Sequence, residues 1–210
     1  MIKVKQLEMG YVQTNTYLLE IDNKVVIIDP CADPHNDISR IEAQLHDKDV
    51  LAILLTHGHF DHISGVDAVA KKYQCPVYMY HEELHYLKNA NVNLSNQTPE
   101  PFIVEADAIG IDCEPLDIGP FEFDVIKTAG HTSGSISYII GNDIFDGDFI
   151  FNQSIGRTDL PSGSMQTMNQ SLKEFIDEFG DKDITLYPGH GNITTLNNEL
   201  KINPFIKNLV

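Results

Sequence analysis

An α/β fold, with helices packed on the faces of β-sheet, is what the sequence predicts. Three observations carry that expectation. Apolar β-type runs alternate with stretches of helical spacing between residues 15 and 85. A chain of 210 residues is long enough for one domain with a proper core. Several of its apolar runs end in a histidine or aspartate close to a glycine. At 42% hydrophobic and 21% charged the composition is that of a globular protein. No linker or internal repeat interrupts it, so a single domain over 1–210 is expected.

In order along the chain, residues 16–21 and 25–28 read as strands around the hairpin signal Asp22-Asn23-Lys24. Asp29 closes the second strand, either forming the turn or orienting a buried partner. Pro34 after Asp33 reads as a helix start, and Ile38, Ile41 and Leu45 extend the helix to about residue 46. A strand over 50–55 follows, then a histidine-rich segment, then a helix with Ile63, Val66, Val69 and Ala70 on its apolar face. Residues 76–80 read as a strand and 81–85 as a short helix. Residues 89–101, rich in Asn and carrying Pro99 and Pro101, lack a period and read as a surface loop. Strands are expected over 121–126, 137–140 and 144–145. Met168, Leu172, Phe175, Ile176 and Phe179 mark the clearest amphipathic helix, stopped by Gly180. A last strand covers 184–187, and short segments finish the chain.

The chemistry concentrates in Thr56-His57-Gly58-His59-Phe60-Asp61-His62, which puts three imidazoles and a carboxylate within six positions after an apolar strand. Such donors suit zinc, iron, nickel or manganese. Three later segments repeat the layout and deliver His131, Asp148 and His190. Seven donors are too many for one tetrahedral ion and suit two ions that share a carboxylate. Two ions with open positions can acidify a water and polarise a carbonyl.

The balance of 14 basic and 31 acidic residues gives a formal net charge of −17. That surface repels nucleic acid and anionic membranes, so a small-molecule substrate is expected. The expectation is for a cytoplasmic enzyme: no apolar signal segment or membrane-length run is visible. Cys31, Cys75 and Cys113 form no CxxC and do not suggest a disulfide framework. Oligomeric state is left open.

The HxHxDH cluster, Gly130-His131-Thr132, Gly147-Asp148 and Pro188-Gly189-His190-Gly191 together resemble the metallo-β-lactamase-fold hydrolases. Their spacing and flanks are most similar to the glyoxalase II-like (hydroxyacylglutathione hydrolase-like) branch. The resemblance implies a four-layer αβ/βα sandwich with two mixed β-sheets flanked by helices. It implies one ion held by His57, His59 and His131 and another by Asp61, His62 and His190, with Asp148 bridging. Asp146 is the rival bridge, because it shares strand parity with Asp148. Asp29 becomes a carboxylate that orients a ligand histidine. Two divalent ions are implied, zinc first, with iron and manganese compatible with the donors. The implied reaction is thioester hydrolysis, as of S-lactoylglutathione, by a metal-bridged hydroxide, with Asp61 and Asp148 in the catalytic set. Arg157 occupies the position of a basic substrate-binding residue. Against the glyoxalase II pattern, a form without the C-terminal helical domain is expected, and Asp159 and Asn192 stand in roughly the places of its tyrosines. Alternatives are a persulfide dioxygenase with a single iron on His57, His131 and Asp148, and a lactonase or esterase.

Overall fold

The computed structural model describes residues 2–207 and 209, and the chain gathers into two compact units. One comprises residues 1–112 and 117–122, the other residues 113–116 and 123–210. Each contains a mixed sheet with helices against it, the α/β class that the sequence predicted.

In the first unit six strands lie side by side in chain order. They are β1 (Lys3–Met9), β2 (Thr14–Ile21), β3 (Lys24–Ile28), β4 (Asp49–Leu55), β5 (Val77–Tyr80) and β6 (Ala108–Ile111). The first three pair antiparallel and the rest parallel. β3 and β4 are almost wholly buried, as continuous apolar runs in the middle of a sheet should be. β1 is an edge strand with Lys3, Lys5 and Glu8 exposed, too irregular in its alternation to have been expected. Four short helices accompany this sheet: α1 (Ser39–Glu42), α2 (Phe60–Ile63), α3 (Val66–Tyr73) and α4 (Leu84–Leu87).

Three expectations need correction here. The helix expected from Pro34 to about residue 46 shrinks to α1. Asp33 and Asp37 exchange backbone hydrogen bonds across a loop in which His35 and Asn36 have positive φ, and this displaces the first turns. Ile38, Ile41 and Leu45 are nevertheless buried, so their spacing reported burial more reliably than helix length. The helix expected after the histidine cluster is broken at Ser64-Gly65, where the Gly65 N–H donates to the Pro30 carbonyl at 2.8 Å. A Cβ on Gly65 would meet that oxygen at 2.7 Å. Finally, 89–101 is not simply a surface loop, because Asn93, Leu94 and Ser95 are buried. Ser95 Oγ donates to the Phe102 carbonyl and accepts from the Phe102 N–H, folding the segment on itself.

The second sheet runs β14-β13-β10-β9-β8-β7. Its strands are β7 (Leu116–Ile118), β8 (Phe121–Lys127), β9 (Ile136–Ile140), β10 (Asp143–Gly147), β13 (Thr185–Pro188) and β14 (Thr194–Thr195). A separate small hairpin joins β11 (Ile150–Phe151) to β12 (Ser154–Ile155). Two helices complete the unit, α5 (Met165–Phe179) and α6 (Leu196–Ile202). α5 follows its sequence signature closely. Ser164 caps it by accepting the Thr167 N–H, and Met168, Leu172, Phe175 and Phe179 bury one face against Ile139, Ile144, Ile184 and Leu186. Each such side chain stabilises the unit by about 1.5–3 kcal/mol. Among the described residues no helix is long and apolar enough to cross a membrane.

Candidate metal centre

Among the described residues, the histidine and aspartate side chains that can contribute to candidate metal groups are His57, His59, Asp61, His62, His131, Asp148 and His190. These are the seven expected donors, and each unit supplies its share in a different way.

In the first unit, β4 delivers the chain into Thr56 and the histidine cluster. His57, His59, Asp61 and His62 are all buried. The His57 ring centroid lies 4.9 Å from that of His59 and 4.2 Å from that of His62. Asp29 stands at the end of the adjacent parallel strand β3, with its N–H on the Leu54 carbonyl at 3.0 Å and φ at +49°. Both roles left open for it are present, since it makes the turn and sends its buried carboxylate under the cluster. Oδ1 accepts the Thr56 N–H at 2.8 Å, and Oδ2 accepts the Thr56 hydroxyl at 2.6 Å. The same Oδ2 is 2.8 Å from His62 Nδ1.

These bonds assign tautomers. The Thr56 hydroxyl proton is committed to Asp29, so His57 Nδ1, 3.1 Å from that hydroxyl, must donate to it. His62 likewise donates from Nδ1 to Asp29. Both rings therefore carry their lone pair on Nε2, the arrangement that suits a metal ligand. The Asp61 Oδ2 accepts the Thr14 hydroxyl at 2.7 Å and lies 3.4 Å from His62 Nε2.

Further props of this loop were not anticipated from sequence. Buried Glu83 accepts the Gly58 N–H at 3.0 Å, and the Asn93 carbonyl accepts the Phe60 N–H at 2.8 Å. Thr14 was missed as well. The pair Glu82-Glu83 held a signal for one of these contacts, but nothing in the sequence distinguished the buried member from the exposed one.

In the second unit the donors come from three separate strand ends. β8, β10 and β13 run in the same direction, β8 and β10 each being antiparallel to β9 and β10 parallel to β13. His131, Asp148 and His190 thus all follow carboxyl ends of co-directed strands, the usual place for ligand groups on such sheets. Asp148 Oδ2 lies 3.3 Å from His131 Nε2, and Asp148 Oδ1 lies 3.6 Å from His190 Nε2. Two ligand atoms each about 2.1 Å from one tetrahedral ion stand roughly 3.4 Å apart. The spacing is that of ligands around ions, with one carboxylate oxygen facing each histidine. His131 Nδ1 donates to the Arg157 carbonyl at 2.7 Å, which leaves its lone pair on Nε2.

Asp146 behaves differently from Asp148. Phe145 pairs with Tyr187 and Gly147 with Pro188, so Asp146 is the extra residue of a bulge, and Gly147 has φ +52°. The shared strand parity is broken there. Asp146 is buried, its Oδ2 accepts the Ile150 N–H at 3.1 Å, and burial, with Asp148 and Glu199 nearby, holds its carboxyl well above the usual range. Close packing also fixes Asp148, because a Cβ on Gly156 would lie 1.9 Å from the Asp148 carbonyl oxygen.

Arg157 is exposed, and its guanidinium forms a two-point pair with Asp159 at 2.7 and 2.8 Å. That pairing holds the Asp159 carboxyl down at about 2. The residue's contact with the donors runs through its main chain. His35, His46, His81 and His85 are exposed and outside the candidate metal groups found among the described residues. Cys31 and Cys75 are buried, Cys113 is exposed, and none is in a disulfide. Burial pushes the Cys31 thiol up to about 11.

The donor chemistry, the ligand-type spacings and the Nδ1 tethers fit divalent metal. Comparison with known proteins agrees. The family model described as the metallo-beta-lactamase superfamily matches residues 9–190. The probable metallo-hydrolase YqgX of Bacillus subtilis is 34% identical, over 98% of each chain. The hydroxyacylglutathione hydrolase GloC of Haemophilus influenzae is 32% identical, over 92% of this chain and 93% of its own. Among solved structures, the BLEG-1 B3 metallo-beta-lactamase has a TM-score of 0.89 at 37% identity, covering 97% of this chain and 99% of that one. TTHA1623 in a di-iron-bound form has a TM-score of 0.82 at 29% identity, covering 96% and 99%.

Proposed function

This chain belongs to the metallo-beta-lactamase superfamily, and from that premise we propose that it is a dinuclear metallohydrolase acting on a thioester or related acyl bond. The observation that carries the reading is Asp148, whose two oxygens face His131 and His190 at 3.3 and 3.6 Å. In this reading His57, His59 and His131 hold one ion, Asp61, His62 and His190 hold the other, and Asp148 serves both. Bound divalent ions would acidify a water and polarise the acyl carbonyl, and zinc and iron both suit the donors. The similarity to TTHA1623 in its di-iron form keeps iron beside zinc.

The chain's own residues prepare that chemistry. Asp29 fixes His62 directly and His57 through Thr56, so both Nε2 lone pairs are set before any ion arrives. Thr14 donates to Asp61 Oδ2 and fixes the orientation of that carboxyl group. A thiolate leaves without acid assistance, because a thiol's pKa is only about 8.5. No protein nucleophile is required. Cys31, buried with its thiol held near 11, does not supply one. Arg157 recognises a substrate carboxylate only by exchanging it for Asp159. A cytoplasmic enzyme is consistent with three cysteines outside any disulfide.

Similarity to GloC supports a thioester such as S-lactoylglutathione, and similarity to BLEG-1 makes a β-lactam the competing acyl bond. The test is elemental analysis of protein purified without added metal, followed by kcat/KM on S-lactoylglutathione, a lactone, a β-lactam and, with oxygen uptake followed, a persulfide. Two ions per chain and chelator-sensitive thioester cleavage are expected. One iron with oxygen consumption would replace this reading with the dioxygenase. A lead by the β-lactam or the lactone would move the substrate.

A further inference from the structure

Asp29 and Thr56 orient His57 and His62, and a different part of the first unit reaches the histidine between them. The backbone N–H groups on either side of His59, those of Gly58 and Phe60, are both held from residues 81–95. Gly58 donates to Glu83 Oε2 at 3.0 Å, and Phe60 donates to the Asn93 carbonyl at 2.8 Å. Between these two points the His59 ring meets the Tyr86 ring edge-on, with centroids 5.9 Å apart and planes at 65°. Glu83, Tyr86 and Asn93 are each at most 1% exposed, a degree of burial at which packing alone calls for an apolar side chain rather than a glutamate. Gly58 lets the cradle close, since a Cβ there would come within 2.7 Å of Tyr86 Cγ and 3.1 Å of Met79 Cε. The cradle is itself braced. Asn93 Oδ1 accepts the Ser95 N–H at 2.8 Å and Asn93 Nδ2 donates to the Phe102 carbonyl at 3.2 Å, which fixes the residue whose own carbonyl faces Phe60. Buried Leu94 follows at φ +67°, a conformation that an apolar L-residue keeps only where its surroundings impose it.

We propose that Glu83 is a positioning residue for one ion of the pair and not for the other. With the Asn93 carbonyl it sets the main chain around His59, and so the affinity for the ion that His57, His59 and His131 hold. The proposal rests on the two-ion reading given above. A ligand must be held to within a fraction of an ångström for its bond to the metal to reach full strength, and the groups behind a ligand supply that precision. Thr14, which donates to Asp61, stands behind the neighbouring set in the same way. The two ions are therefore held by separate supports and respond to separate substitutions.

The test loads the metal-free full chain with cadmium-113, reads each bound ion by its own NMR resonance, and measures stepwise affinity by chelator competition. Glu83→Met keeps the length of the side chain and removes the acceptor, whereas Glu83→Gln keeps an oxygen within reach of the Gly58 N–H. Glu83→Met is expected to shift one resonance and weaken that ion by about tenfold, leaving the other ion unchanged. Glu83→Gln should recover most of the loss. Thr14→Val should move the other resonance instead. Both resonances shifting alike in Glu83→Met, neither shifting, or no recovery in Glu83→Gln overturns the proposal, because a merely structural glutamate would act on stability and on both ions together. A single resonance in the unsubstituted chain removes the two-ion reading. The role of Glu83 then stands if Glu83→Met weakens that one ion and Glu83→Gln restores it, and falls if neither happens. A chain that binds no cadmium overturns both. Hydrogen exchange in the metal-free chain decides the matter should Glu83→Met not fold: slow exchange of the Gly58 and Phe60 amides, with Gly58 faster in Glu83→Gln, supports the cradle, and fast exchange of both in the unsubstituted chain overturns it.

Discussion

The two units position their candidate donors by opposite means. In the first unit four candidate donors sit on one continuous stretch, the end of the loop after β4 and the first turn of α2, and buried side chains hold that stretch in place: Asp29 under Thr56 and His62, Glu83 under Gly58, Thr14 on Asp61. In the second unit three donors come from strands far apart in sequence, and the main chain does the holding. The Gly189 N–H donates to the Gly147 carbonyl at 2.7 Å, the Ser164 N–H to the Gly130 carbonyl at 2.9 Å, and His131 to the Arg157 carbonyl. A local loop has little rigidity of its own and needs specific carboxylates. Donors at strand ends inherit their positions from the sheet and need mainly room for the backbone, which the glycines provide.

That contrast can be broken at five points, in falling order of expected effect. Asp148→Ala removes the carboxylate that faces both histidines of the second unit. It should cost metal content and on the order of a thousandfold in hydrolysis, read by elemental analysis and kcat together. Retained metal stoichiometry in that variant would remove the shared-carboxylate reading. Asp29→Asn should weaken metal binding by roughly 10–100-fold, measured by competition with a chromophoric chelator. It keeps a short polar side chain at a left-handed position while losing one charged acceptor. Gly156→Ala should destabilise the fold by about 2–3 kcal/mol in urea with chelator present, since the new methyl group meets the Asp148 carbonyl. Arg157→Ala should change metal affinity by less than about threefold, because the carbonyl that holds His131 survives the substitution. A large loss there would mean that the side chain, and not the main chain, props this half.

The smallest effect is a pattern of thiol reactivity. At pH 8, Cys113 should react with an aromatic disulfide reagent much faster than the other two, since Cys31 and Cys75 are buried and both thiols are held up at about 11. Their folded pKa values lie above the unfolded value of about 8.5. The stability this contributes is therefore complete below that value and is lost as pH rises toward 11.

How much of this was readable in advance follows the same divide. The loop donors were legible because the chain itself brings His57 through His62 together. His131, Asp148 and His190 were legible only through a repeated pattern, an apolar run ending in a donor close to a glycine, since strand order is not written locally. The props were mostly hidden. A backbone carbonyl such as that of Arg157 or Asn93 leaves no trace in residue type, and Asp29 could be read in two ways that both proved present. The helix expected over 34–46 failed because local hydrogen bonding by Asp33 and Asp37 competed with it, while the burial of Ile38, Ile41 and Leu45 followed the pattern. β1 escaped notice because an edge strand has one neighbour and needs no strict alternation.

That edge strand has a bearing on handling the protein. Lys3, Lys5 and Glu8 place charged side chains along the open margin of the first sheet, where a second molecule could otherwise add its own strand. Replacing those side chains with valine would turn a guarded border into a template for fibrous self-association.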